Sequence, residues 1–344
     1  MKILIIAPSW VGDAVISQSL LKIIIDRCES STIDVLSPDW TLDIFKRMEE
    51  VSKSLIFPFK HGDIKLRERA NFGKKLKVKS YDQVIVLPNS LKSALVPFFA
   101  NIPKRTGWIG EMRYFLLNDI RKLNKKIYPR MVDRFVGLAF PKNHYSEKEI
   151  PFPHLIVDEK NLDKILKKYQ LRKDIPLLTL CPGAEFGPSK RWPAANFSKI
   201  ADHFLAKKWQ ILLLGSKNDI STSKEVVMGM ANKEKKSTYN LTGETSLLDA
   251  IDILSYSKLV LSNDSGLMHI ASAVGVNLVA LYGPSSPEFT PPLTNNAVIL
   301  RKTKGYFKLR EGSLPSGYHQ SLVDIKPEEV IEVLESIEWQ FDFE

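Results

Sequence analysis

Only two cysteines occur in the 344 residues, Cys28 and Cys181, far apart and with no cysteine or histidine at metal-ligand spacing. That excludes a disulfide framework and a zinc site, and it points to a reducing compartment. Long apolar runs are missing too: none approaches the ~18 residues of a membrane-spanning helix. The apolar start, Met1 to Pro8, runs straight into Gly12 and Asp13 with no small-residue cleavage pattern. It reads as a first buried strand rather than a secretory signal, so a cytoplasmic protein is expected. No Walker A sequence, G-x-S-x-G or H-E-x-x-H is present, which removes P-loop nucleotidases, α/β-hydrolases and zincins. No Asp-x-Asp stands where it could hold a nucleotide-bound metal, so neither metal nor cofactor is expected. Solenoid-length repeats and low-complexity tracts are absent as well.

What is present is a globular composition, 44% hydrophobic and 26% charged, long enough for two cores. The surplus is basic: 49 Lys and Arg against 39 Asp and Glu, a net charge of +10. Such a surplus attracts phosphates, nucleic acid or an anionic membrane face.

Strand and helix patterns alternate along the chain. Lys2–Ala7, Thr32–Leu36, Lys53–Phe57 and Gln83–Leu87 read as strands, with helical apolar spacing over Asp13–Arg27 and Leu42–Met48. Lys60–Lys79 breaks the rhythm as a basic, solvated helix or loop. Prolines 141, 151 and 153 interrupt any periodicity between Lys142 and Val157. A second series follows: a helix at Asn161–Tyr169, then strands at Leu177–Cys181, Trp209–Leu214, Ser257–Leu261 and Asn277–Leu281. A last helix spans Lys326–Ile337, with Pro327 in its first turn. The expected class is α/β: two doubly wound Rossmann-like domains facing across a cleft, residues 1–156 and 157–325. A C-terminal helix, 326–344, would pack back on the N-terminal domain.

Four motifs sit just beyond strands, where such sheets bind ligands. Ser9-Trp10-Val11-Gly12-Asp13 follows the first strand; Asp13 either caps the next helix or stands at the ligand mouth as a proton acceptor. Leu180 to Pro193 carries two glycines and two prolines before Lys190-Arg191-Trp192-Pro193, a shaped loop that sets Lys190 to neutralise a phosphate. Leu214 to Asp219 offers Asp219 either to the hydroxyls of a ribose or as a helix cap. Asn240 to Leu247 offers a wall for a nucleobase, with Thr245 or Ser246 capping a helix. The most informative stretch is Val260 to Gly275: a buried strand breaks at Ser262-Asn263-Asp264-Ser265-Gly266 and opens directly onto a helix. Its unpaired N–H groups and positive dipole end suit a phosphate.

In this order the motifs resemble those of the ADP-heptose:lipopolysaccharide heptosyltransferases, glycosyltransferase family 9 of two-domain GT-B fold. The heptosyltransferase II branch is the nearest match. Gly12-Asp13, Gly183-Ala184-Glu185-Phe186-Gly187-Pro188 with Lys190-Arg191-Trp192-Pro193, Ser262 to His269, and Ala280-Leu281-Tyr282-Gly283-Pro284 carry the resemblance over nearly the whole chain. It implies an inverting transfer of heptose from ADP-heptose onto the first heptose of heptosyl-Kdo2-lipid A. Asp13 would be the general base, and Lys190 with the Ser265-Gly266 helix N-terminus would hold ADP. Glu185, Asp219, Thr242, Asp264 and His269 complete the donor side, while Gly12, Asn89 and Arg105 are acceptor-side candidates. The basic run from Lys60 to Lys79, with Arg105, Arg113, Arg121 and Lys122, would meet acidic acceptor groups at the cytoplasmic face of the inner membrane. Rival readings are heptosyltransferase I or III, a transferase using UDP- or GDP-sugars, and, from charge alone, a nucleic-acid-binding protein. The last lacks aromatic platforms interleaved with its basic residues.

Overall fold

The computed structural model describes residues 1–60, 62–142, 149–231 and 235–339. Two units divide between His154 and Leu155, two residues before the expected boundary. The division has a local cause. The His154 amide is bracketed by Gln18, which accepts from its N–H at 2.9 Å and donates to its carbonyl at 2.8 Å. Leu155 is fully buried and donates its own N–H to the carbonyl of Ala273.

In the first unit the order is β1 (Lys2–Ile6), α1 (Val11–Ile16), α2 (Gln18–Arg27), β2 (Thr32–Ser37), α3 (Asp39–Lys46) and β3 (Val51–Ile56). Then come α4 (Leu66–Lys77), β4 (Gln83–Val86), α5 (Leu91–Phe99), β5 (Lys104–Trp108), β6 (Asp119–Arg121) and α6 (Met131–Val136). The strands pair in parallel in the order β3-β2-β1-β4-β5-β6. β1 is apolar at nearly every position because helices cover both faces of a parallel sheet, which gives Leu4 and Ile5 no solvent side.

The second unit runs α7 (Glu159–Tyr169), β7 (Leu177–Cys181), α8 (Ala194–Ala206), β8 (Gln210–Leu213), α9 (Ile220–Gly229) and β9 (Thr238–Asn240). It continues through α10 (Leu247–Tyr256), β10 (Leu259–Asn263), α11 (Gly266–Ala273), β11 (Asn277–Tyr282), β12 (Ala297–Arg301), α12 (Gln320–Val323) and α13 (Pro327–Trp339). Its parallel order, β12-β11-β10-β7-β8-β9, is the first unit's order repeated. In each sheet the strand order therefore reverses once, between β1 and β4 and between β7 and β10. Ligands in such sheets bind in the crevice outside the carboxyl ends at that reversal.

Four edge or near-edge strands, β5, β6, β9 and β12, go beyond the pattern read from sequence. They are short or half-exposed, so their apolar signal is weak. The Lys60–Lys79 run contains α4, whose Gly73 lies so close to α5 that an added Cβ would crowd Phe99 and Val96.

The terminal helix requires a correction. It was expected to pack back on the N-terminal domain, but Val330, Leu334 and Ile337 enter the second unit's core with Phe197, Ile200 and Phe204 of α8. Glu335 pairs with His203 at 2.9 Å and with Lys207 at 2.8 Å, fixing α13 on α8. The apolar stripe of α13 completes the uncovered face of α8, which is the physical reason for that seat.

Candidate functional site

At the reversal of the second sheet, two loops leave adjacent strands. The loop after β7 ends in a 3₁₀ turn, Pro188–Lys190; β10 runs into Asp264 and Ser265 and then α11. Asn263 ties them, accepting from the Trp192 N–H at 3.1 Å and donating to the Pro182 carbonyl at 2.8 Å. Trp192 is itself fully buried and donates its indole N–H to the carbonyl of Ile325. On this frame the Lys190 ammonium meets the Asp264 carboxylate at 2.5 Å.

Burial pushes the Asp264 carboxyl up, but the charge and hydrogen bond of the Lys190 ammonium, with the Ser285 hydroxyl, together hold the group below the usual carboxylate range. His269, one turn further along α11, is buried, and that desolvation pushes its imidazole down to about 4 against the pull of Asp264. Near neutrality this corner therefore holds a cation, a carboxylate and a neutral imidazole. Ser265 is the N-cap of α11, yet its hydroxyl makes no capping bond and lies 3.4 Å from that of Ser262. The first N–H groups of α11, beginning at Gly266, thus keep their positive end for an anion.

Other expected donor residues fall less simply. Glu185 is exposed on the β7 loop, with both oxygens 3.1 Å from the Asn218 amide. Asp219, the expected ribose candidate, is enclosed and braces the turn that follows β8. One oxygen accepts from the Ser216 N–H at 2.9 Å and hydroxyl at 2.7 Å, and the other lies 3.7 Å from Arg191. Gly183 is obligatory above it, since a Cβ there would collide with the Asp219 carboxylate. Thr242 is likewise buried, its hydroxyl donating to Ser223 at 2.7 Å. Ser246 does cap α10, accepting from the Asp249 N–H.

In the first unit Gly12 and Asp13 lie in the first turn of α1, at the carboxyl end of β1. The N-cap position belongs to Trp10, so Asp13 is not the capping residue. Asn89 follows β4, the strand next to β1 across the reversal. Its side-chain oxygen accepts from Arg113 at 3.1 Å. Arg113 is buried and fastens the end of β5, the loop after β4 and the first turn of α5: it donates to the carbonyls of Trp108 at 2.7 Å and Pro88 at 2.6 Å, and to the Ser93 hydroxyl at 3.1 Å. Burial lowers its guanidinium to about 10.

Three of the basic residues expected at the acceptor are engaged by the fold's own carbonyls. Arg105 lies near the amino end of β5, away from the ligand end, and donates to the carbonyls of Leu116 and Ile102. Arg121 closes on the carbonyls of Gly137 and Phe140 and pairs with Asp119. Arg113 is used as described above. Within α4, Arg69 is buried over Phe57 and Phe59, while Lys74, Lys75 and Lys77 are exposed.

A sequence profile of glycosyltransferase family 9 (heptosyltransferase) matches residues 69–318. The chain belongs to glycosyltransferase family 9. Over 342 residues this family 9 enzyme is 45% identical to lipopolysaccharide heptosyltransferase 2 of Salmonella typhimurium (strain LT2), covering 98% of each chain. The lipopolysaccharide heptosyltransferase 2 of Escherichia coli (strain K12) is 44% identical over the same share. A solved structure of E. coli ADP-heptose lps heptosyltransferase II is similar with a TM-score of 0.91 and 41% identity, covering 99% of this chain and 100% of that one. The fold of the family 9 chain is accordingly GT-B.

Among the described residues no three His, Cys, Asp or Glu side chains group as a metal set, and no helix is long and apolar enough to cross a membrane. Sequence reasoning missed Asn263 as the tie between the loops after β7 and β10 and Arg113 as the fastener of the Asn89 loop. Asn263 stood inside the most informative motif, but a side chain that bonds backbone 81 residues away leaves no periodic trace.

Proposed function

We propose that this chain moves heptose from ADP-heptose onto the first heptose of heptosyl-Kdo2-lipid A, with inversion at the anomeric carbon. The observation that carries the reading is the Lys190–Asp264 pair beside the open N-terminus of α11, in a chain similar over 98% of its length to proteins named lipopolysaccharide heptosyltransferase 2. ADP leaves as an anion. Lys190 and the N–H groups at Gly266 stabilise the charge it develops, an effect of about 3–4 kcal/mol per well-aimed donor. Asp13, at the carboxyl end of β1, takes the proton of the attacking acceptor hydroxyl, a contribution of roughly 10²–10⁴-fold. Glu185, Asp264, Ser265 and His269 line the donor side, with Gly12 and Asn89 on the acceptor side.

Charge supports the assignment of the acceptor to the first unit. Residues 1–154 hold 26 Lys and Arg against 16 Asp and Glu, whereas residues 155–344 hold 23 of each. The whole surplus of +10 thus belongs to the first unit. An acceptor bearing carboxylates and phosphates on an anionic membrane face is matched to it, at ~1 kcal/mol per cation near the surface.

The test is incubation with ADP-heptose and defined inner-core acceptors, with the product read by mass. One added heptose on heptosyl-Kdo2-lipid A is expected; addition only to Kdo2-lipid A would overturn the acceptor assignment. Asp13→Asn is expected to lower kcat at least 100-fold while ADP still raises the melting temperature, and UDP and GDP are expected not to raise it.

A further inference from the structure

Resting on the donor reading above, we infer that Arg310 is a second cation of the diphosphate subsite, delivered by the segment 303–318 between β12 and α12. This segment is stitched to the donor loop by backbone contacts. The Ser189 N–H donates to the Arg310 carbonyl at 3.3 Å, the Ser189 hydroxyl donates to the Leu309 carbonyl, and the Phe307 N–H donates to the Pro284 carbonyl at 2.8 Å. Gly187 is part of the seat. Its φ is +145°, and a Cβ there would strike the Arg310 carbonyl.

The seat brings the Arg310 guanidinium to 5.8 Å from the Phe186 ring, whose centroid is 5.4 Å from the Lys190 ammonium. One aromatic ring therefore gathers both cations, one from each segment. Arg310 is exposed and, among the described residues, makes no ion pair and no side-chain hydrogen bond. The other cations here are engaged. Lys190 is matched by Asp264, while Arg191 reaches the Thr222 hydroxyl at 3.3 Å, the Ala184 carbonyl at 3.3 Å and Asp219 at 3.7 Å.

Electrostatics points the same way. Glu185, Asp219 and Asp264 against Lys190 and Arg191 leave these five side chains with a formal charge of −1. A diphosphate adds negative charge beside these side chains, so a further cation there favours its binding. Arg310 brings the sum to zero before the dipole of α11 is counted, and its planar fork can bind two phosphate oxygens at once.

The experiment is calorimetric titration with ADP, and with adenosine as a probe lacking phosphate, of wild type, Lys190→Ala and the series Arg310→Lys, Arg310→Ala and Arg310→Glu. ADP affinity is expected to fall in that order, by about tenfold or more at alanine. Adenosine binding and the melting temperature without ligand should stay unchanged. In turnover, KM for ADP-heptose should rise more than kcat falls. ADP affinity within twofold of wild type across the series, with Lys190→Ala still weakened, overturns the role of Arg310 and leaves the donor reading standing. Failure of the wild-type protein to bind ADP overturns both.

Discussion

Lys190 and Asp264, 74 residues apart in the chain, meet at 2.5 Å between the carboxyl ends of β7 and β10. Asp264 is almost wholly enclosed, while about a fifth of the Lys190 side chain reaches solvent. Removing the cation alone strands a buried carboxylate. Lys190→Ala should therefore cost about 3 kcal/mol in urea unfolding, the low end for a broken buried pair because Lys190 is partly wet. The double variant Lys190→Ala, Asp264→Asn should recover part of that loss. A double variant as unstable as Lys190→Ala would show that the pair does not act as a unit.

His269 gives the second unit a pH dependence of definite sign. Its imidazole is held at about 4 by burial, against 6.5 for the free group. Between those values the unfolded chain binds a proton that the folded chain refuses, so stability falls as pH drops from 6.5 towards 4. Asp264, also lowered, adds a loss of the same sign below its ordinary value of 3.8. Thermal unfolding across pH 7 to 4 should show a flatter profile for His269→Gln than for wild type.

Arg113 fixes the Asn89 loop through bonds that no shorter cation can reproduce. Arg113→Ala should destabilise the protein by about 2–4 kcal/mol, because several buried acceptors lose a charged donor together. It should also raise KM for the acceptor while ADP binding is retained, since the loop belongs to the first unit. An unchanged acceptor KM in the folded variant would separate Asn89 from the acceptor.

Tyr81 and Asp34 form a different kind of pair, inside the first unit's core. The Tyr81 hydroxyl donates to Asp34 at 2.7 Å, and burial followed by this carboxylate drives the phenol far above its ordinary range. Tyr81→Phe removes the donor and leaves Asp34 enclosed, an expected loss of about 1–3 kcal/mol in denaturant unfolding. Turnover of the folded variant should be unaffected.

The two-fold repetition of an α/β pattern was legible because buried parallel strands are apolar throughout, as in Ile3 to Ile6 and Leu177 to Cys181. Weakly patterned edges such as β6 and β9 were not, since an edge strand hides little surface and needs few apolar residues. Among the site residues, Lys190, Asp264 and Ser265 stand on loops whose glycines, prolines and cap residues announce a specified shape. Asp219 and Arg105 carry the right chemistry in the right kind of segment, yet one is enclosed and the other lies at the amino end of its strand.

The order of strands and turns, the loops that follow them and the excess of basic residues were set by local composition and spacing, which one-dimensional sequence records directly. Which cations stay available to a ligand was decided by the tertiary structure alone. A guanidinium is consumed or left open according to the carbonyls that folding brings around it. For Arg113, Arg121 and Arg310 those carbonyls, or their absence, come from packing that adjacent residues do not encode.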